Sequence, residues 1–197
     1  MDVSKVDDWN RLRLRCNWDS PSTFEEIVNV NFYGVIRGIA VLKPLILQQS
    51  GSALVITGSK QGITNPPGNP AYNASNAAVR RAAEHLAWDL RDRNVNIYLL
   101  VPGWAFTSIG SGGVEPINEK DKPTGAWTIG QVVEYLEESI ARKEFYIICP
   151  DNDVTVEMNK KRMMWTAQDL IHRRRPLSRW REDLENEFNE WSSKPLE

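Results

Sequence analysis

ITGSKQGITNPPGNPAYNASNAAV, residues 56–79, packs a strand end, a turn and a helix start into one short stretch. Ala53 to Thr57 (ALVIT) leads into it as an apolar, β-branched run, the pattern of a buried strand. Gly58 and Gly62 bracket a turn. NPPGNP resists helix formation, because proline lacks the amide donor and restricts the residue before it. A helix is expected from about Pro70 to about Asp92, with Asn69 as its N-cap and Pro70 at its first position. Tyr72 and Asn76 then share one helical face, one turn apart. The junction where a strand ends and a helix begins is where open α/β sheets place their sites.

The residue types at this junction suggest acid–base chemistry. A phenol with a pKa near 10 is a weak acid or base at neutral pH, and a nearby cation would favour the phenolate. A serine hydroxyl beside it can orient a carbonyl or an alcohol. Ser59 and Tyr72 are spaced as S-x(12)-Y, with residue 76 a further four positions on.

That pattern resembles the S-x(12)-Y-x(3)-K signature of the short-chain dehydrogenases/reductases. Three other stretches fit in the same order. VNVNFYG (28–34) resembles the helix that bears the family's structural and catalytic Asn, here Asn31, three residues before Gly34. VPGWAFT (101–107) resembles the turn that touches the nicotinamide end of the cofactor, through Pro102, Gly103, Ala105 and Thr107. EFYIICP (144–150) resembles the last strand of the sheet. The resemblance implies an α/β fold: a partial Rossmann-like parallel sheet, the C-terminal half of a doubly wound fold, with flanking helices and a helical C-terminal tail. It implies NAD or NADP as cofactor and a small carbonyl or alcohol as substrate. Tyr72 would be the acid/base, Ser59 would orient the carbonyl, and Asn31 would support a proton relay.

Two departures bear on activity. The family's Lys, which holds the nicotinamide ribose and lowers the tyrosine pKa, is replaced by Asn76. The Gly-rich turn G-x(3)-G-x-G, whose amides and helix N-terminus hold a pyrophosphate, is absent from the sequence. An N-terminally truncated or divergent member is therefore expected, either a short form or a misread gene start. Its activity alone would be impaired, and Asn76→Lys alone is not expected to restore it. The alternative is a redox-silent member, working as a cofactor-free lyase or isomerase or as a subunit-pairing module. The unpaired edge of strand 53–57 needs cover, from residues 1–21 or from a second chain. The Asn31 and Tyr72 helices leave room for a homo-oligomer.

Composition narrows the partners. The 197 residues carry 24 Lys+Arg against 26 Asp+Glu, interspersed, which provides no electrostatic footprint for nucleic acid. No apolar run reaches the ~18 residues of a membrane span, and Met1 is followed by charged residues rather than a secretory leader, so a cytoplasmic protein is expected. Cys16 and Cys149 lack metal spacing and read as free thiols, and His85 and His172 are too far apart in sequence to suggest a metal site. HRRR at 172–175 reads as a solvated turn between helices. Asn73-Ala74-Ser75 matches a glycosylation sequon without a secretory context.

Three segments are expected: an uncertain 1–21, with a short helix over Val6 to Arg15; the family-like domain over 22–150; and a helical extension over 151–197. Ser22-Thr23-Phe24-Glu25 reads as a capping box opening a helix to about Gln49, kinked by Pro44, with Ile27, Asn31, Val35 and Ile39 on one stripe. On that stripe Asn31 needs a polar partner. A second strand covers 95–101. Residues 102–127 form a long loop bounded by Trp104 and Trp127, of the kind that makes lids or lines a pocket. Thr128 and Gln131 form a capping box for a helix to about Arg142, followed by a strand at 144–149 and two amphipathic helices over 153–172 and 177–192.

Overall fold

The computed structural model describes residues 18, 20–108 and 119–195. The expected helix over Val6 to Arg15, Cys16, and Gly110, Gly112 and Gly113 of the long loop lie outside the described residues. Three strands, β1 (Ser52–Thr57), β2 (Val95–Val101) and β3 (Tyr146–Ile148), form a parallel sheet in the order β1-β2-β3. Ser52 is paired with Val95 and Leu99 with Tyr146.

Helices cover both faces of the sheet, as parallel pairing requires. Alternation along β2 sorts its residues into two cores. Ile97, Leu99 and Val101 pack with Ile56 of β1 and with Val79, Ala83 and Leu86 of α4 (Pro70–Asp89). Tyr98 and Leu100 face the other way, against Val132 of α5 (Ile129–Ala141) and Ile147. Among the described residues β1 pairs only with β2, and Val55 on it is 36% exposed.

The first helix differs in detail from the sequence reading. It begins at Pro21, with Ser20 as N-cap and no side-chain capping bond, so the expected box at Ser22–Glu25 does not form. The physical reason is Pro21: its fixed φ and missing N–H suit the first helical position. α1 (Pro21–Val28) runs through a π-helical segment, Asn29–Tyr33, into α2 (Gly34–Ile46), which contains Pro44 near its end. Asn69 caps α4 as expected, its Oδ1 accepting from the Tyr72 N–H at 3.3 Å. The Thr128–Gln131 capping box on α5 is complete. Between β1 and α4 the expected turn contains one helical turn, α3 (Gln61–Thr64), closed by Asn65 in the left-handed region.

The tail holds α6 (Val156–Ile171) and α7 (Glu185–Ser193). The single helix expected over 177–192 is broken. Leu177 has φ 56° and Arg181 is extended, so tight turns at Ser178–Trp180 and Glu182–Leu184 precede α7. Trp165 is the centre of this region, packed edge-on against Phe188, with its Nε1 donating to the Ser178 Oγ at 2.7 Å. The HRRR turn is less solvated than expected. Arg174 stacks 4.1 Å from the Trp165 ring and pairs with Asp169 at 3.0 Å.

Candidate active site

Gly62 brings the two halves of the site together. A Cβ there would lie 2.5 Å from the Asn76 carbonyl carbon and 2.7 Å from the Ala77 nitrogen, so only glycine lets the α3 backbone rest on the α4 backbone. Through this contact the turn bearing Ser59 lies against the helix bearing Tyr72 and Asn76. Ser59 shapes the turn itself: its Oγ accepts from the Gln61 N–H at 3.2 Å.

The Tyr72 turn of α4 is held by neutral groups. The Tyr72 carbonyl accepts from the Ser75 Oγ and from the Asn76 Nδ2, both at 2.9 Å. Asn31 Nδ2 donates to the Ser75 Oγ at 3.2 Å, which supplies the partner that its place on an apolar stripe demanded. Asn31 lies within the π-helical segment, so Asn31, Ser75, Tyr72 and Asn76 are one connected set. The Tyr72 ring packs beside Ile27, Ala71 and Phe24, half-buried. Its hydroxyl has no hydrogen-bond partner among the described residues. The sequon is not an accessible one, because Asn73 is 4% exposed and donates to the Pro66 carbonyl.

The Pro102–Thr107 turn leaves the end of β2. Ala105 bridges to Trp127, with the Phe106 N–H bound to the Trp127 carbonyl and the Trp127 N–H to the Trp104 carbonyl, each at 2.8 Å. This clamp closes the long loop at its base. Trp127 packs edge-on against Tyr135, while Trp104 is exposed. Pro102, Ala105 and Thr107 are half-buried. Gly103 is closely packed: a Cβ there would lie 2.6 Å from the Pro150 carbonyl, 2.8 Å from the Asp151 Oδ2 and 3.0 Å from the Lys60 Nζ.

That corner contains residues the sequence reading missed. Lys60, next to Ser59, donates to the Asp151 Oδ2 at 3.2 Å. Asp151 Oδ2 also accepts from the Trp104 N–H at 3.0 Å, and its Oδ1 accepts from the Asp153 and Val154 amides. Burial alone would raise the Asp151 carboxyl; the Trp104 amide and Lys60 outweigh it and hold the group below the ordinary carboxylate value. Burial pulls the Lys60 ammonium below the usual lysine value, with Asp151 opposing and Arg162 adding to the shift. Cys149, fully buried, is pushed up to about 11 by burial and stays a neutral thiol. The only sequence signal for the corner was position: Lys60 follows the serine and Asp151 follows the last strand.

A sequence model described as short chain dehydrogenase matches residues 16–115, just over half of the chain. This chain belongs to the short-chain dehydrogenase family. Curated relatives of this chain include an oxidoreductase of Sarocladium schorii, 36% identical over 83 residues, 42% of this chain and 33% of that protein. An uncharacterized oxidoreductase of Listeria monocytogenes is 27% identical over 68% of this chain and 53% of its own length. The chain thus spans about half or less of the length of these relatives. A short chain dehydrogenase/reductase from Burkholderia phymatum, solved in complex with NAD, superposes with a TM-score of 0.67 at 27% identity, covering 81% of this chain and 63% of that one. A short-chain dehydrogenase from Sphingobium yanoikuyae in complex with NADPH shares the fold at 19% identity and a TM-score of 0.58, covering 87% of this chain and 73% of that one. Its fold is accordingly Rossmann-like, and no helix among the described residues is long and apolar enough to cross a membrane.

Proposed function

We propose that this chain carries the substrate side of an NAD(P)-dependent oxidoreductase that interconverts an alcohol and a ketone. The observation that supports it most is the half-buried Tyr72, whose hydroxyl is unpartnered while its backbone is locked by Asn31, Ser75 and Asn76. In this reading Tyr72 gives its phenolic proton to the carbonyl oxygen during reduction and takes it back during oxidation. Ser59 donates a hydrogen bond to the same oxygen. Asn31 positions the Tyr72 turn through Ser75 and so steadies the proton donor.

The residues fit the nicotinamide end of a cofactor in part. Thr107 is half-buried and its hydroxyl has no partner among the described residues, which suits a carboxamide; Pro102, Gly103 and Ala105 shape the wall beside it. The cofactor supplies a hydride when bound. Asn76 is less suited, since its amide nitrogen is spent on the Tyr72 carbonyl and it carries no charge to favour the phenolate. That feature favours the second reading, a redox-silent member that performs cofactor-free proton chemistry or pairs with another subunit. Self-association through the Asn31 and Tyr72 helices belongs to the same proposal; Val30, Tyr33 and Val41 are exposed on the first of them. A cytoplasmic setting suits the free thiol of Cys149.

Fluorescence titration with NADH and NADPH, followed by turnover of a ketone panel, tests the reading. Saturable binding and slow turnover that Tyr72→Phe abolishes are expected. Proton exchange at a ketone's α-carbon without nicotinamide, lost in Tyr72→Phe, would select the redox-silent reading instead. Asn76→Lys is expected not to restore full turnover, because position 76 is buried beneath Gly62 and the new ammonium would be poorly solvated. Full activity of that single variant breaks this expectation. Light scattering reports the oligomer, and a strict monomer at all concentrations removes the pairing claim.

A further inference from the structure

A cavity of about 280 Å3 opens at the start of α1, lined by Trp18, Ser20, Pro21, Phe24 and Glu25. A wider one of about 430 Å3 lies between α6 and α7, but its charges are already matched: Arg174 faces Glu187 at 3.7 Å and Lys194 faces Glu190 at 3.1 Å. The cavity at α1 is mainly apolar, walled by Trp18, Pro21 and Phe24. Trp18 and Phe24 are stacked, with ring centroids 5.9 Å apart and planes 28° from parallel. Trp18 is nonetheless 79% exposed, so most of its apolar surface is unused by the fold. The Ser20 hydroxyl is tied to the Thr23 hydroxyl at 2.7 Å.

Phe24 joins this cavity to the tyrosine. It lines the cavity and also packs, as Tyr72 does, on the buried pair Ile27 and Ala71, where α1 meets α4. A group resting on Phe24 is therefore close to the Tyr72 ring, whose hydroxyl has no partner among the described residues. Volume bounds what that group can be. An apolar cavity of roughly 150 Å3 accepts benzene, so about 280 Å3 accepts one ring with a short substituent. Charge bounds it further. Glu25 is the one charged residue in the lining, and it makes no ion pair among the described residues. It opposes an anion, and the apolar walls provide nothing to neutralise one. Glu25 is also exposed, so it stays hydrated and gives a cation little in return.

We propose that the cavity walled by Trp18, Pro21 and Phe24 receives an uncharged aromatic or alicyclic ring on the ketone or alcohol that Tyr72 handles. The proposal rests on the oxidoreductase reading for the reaction, but the binding of the ring does not. Trp18 supplies a flat face that loses little on contact, because it is already held against Phe24. Phe24 supplies the second wall and fixes the ring's place relative to the tyrosine. Glu25 at the rim sets the preference for a neutral ligand. Trp18, Phe24 and Glu25 are thus specificity-determining residues, and none of them takes part in proton transfer.

NMR titration of the purified chain with acetophenone, acetone and 4-acetylbenzoate tests this without any nicotinamide. On the unmodified protein the Trp18 indole and Tyr72 ring signals should move with acetophenone along one saturation curve. Acetone, which has no ring, should move neither at the same concentrations, and 4-acetylbenzoate should bind more weakly than acetophenone. Trp18→Ala, at an exposed position where the fold loses little, should weaken acetophenone binding about fivefold, the loss expected for one aromatic contact. Glu25→Lys should bind 4-acetylbenzoate more tightly than the unmodified protein does. A still Trp18 signal, a Trp18 signal that moves while Tyr72 stays still, an equal response to acetone, or unchanged affinity in Trp18→Ala overturns the proposal. Unchanged discrimination against 4-acetylbenzoate in Glu25→Lys overturns the role of Glu25. Acetophenone binding with no turnover when nicotinamide is added overturns only the oxidoreductase reading.

Discussion

The Tyr72 turn and the Lys60 corner are neighbours held by different forces. Around Tyr72 the contacts are neutral and mostly local: an amide and a hydroxyl meet one carbonyl within a single helical turn, and Asn31 ties that turn to the first helix. Around Lys60 the contacts are charged and join distant parts of the chain, the Lys60–Asp151 pair spanning 91 positions. The first arrangement makes a rigid backbone and leaves the phenol free. The second brings together the serine turn, the Pro102–Gly103 turn and the end of β3. Position 76 carries no charge, yet cationic charge is present beside the serine turn, on Lys60.

Gly62→Ala attacks the contact between the two and should have the largest effect. The added methyl meets backbone atoms of Asn76 and Ala77, so α3 must lift off α4. We expect a loss of about 3 kcal/mol, seen as a fall of about 9 °C in Tm by calorimetry. An unchanged Tm would mean that the junction is loose and the two regions are independent.

Asp151→Asn isolates the charged region. It leaves Lys60 half-buried without its counter-ion and should cost about 2 kcal/mol at neutral pH. The pH dependence has a definite sign. The folded Asp151 titrates below its unfolded value of 3.8, so its contribution is complete above that value and fades as pH falls through the folded one. The Tm gap between wild type and Asp151→Asn should be constant at pH 5–7 and close below pH 3.8. A gap that persists in acid would assign the loss to packing instead.

Asn31→Ala probes the neutral region and should have the smallest effect, about 1 kcal/mol for one hydrogen bond. In the oxidoreductase reading proposed above it should also lower ketone turnover more than substrate affinity, since Asn31 would position the Tyr72 turn through Ser75 rather than touch substrate. An equal loss in both would point to a general loosening of the helix pair.

The legible parts of the molecule were those whose causes lie within a few residues. The Asn69 cap and the Thr128–Gln131 box could be read directly, because each is a local hydrogen-bond exchange. The strand over 95–101 was read from the sequence, but the division of its side chains between two cores was not. The Asn31 partner was demanded by the sequence but not named by it, since Ser75 lies 44 positions away. Lys60–Asp151 had no local trace at all. The break in the tail at Leu177 and Arg181 was also hidden, because Trp165 and Ser178 impose it through a tertiary contact that overrides an acceptable helical pattern.

The π-helical segment at Asn29–Tyr33 has a mechanical consequence. A wide turn of this kind takes one more residue than an α-turn, so it acts as a phase offset in the helix. Removing a single residue there would let the helix run regularly and turn everything after it by about 100°. Val35 and Ile39, now packed against the sheet, would swing aside. Asn31 would be carried away from Ser75. The offset sets the angular timing between the stripe that anchors the helix and the amide that steadies the tyrosine.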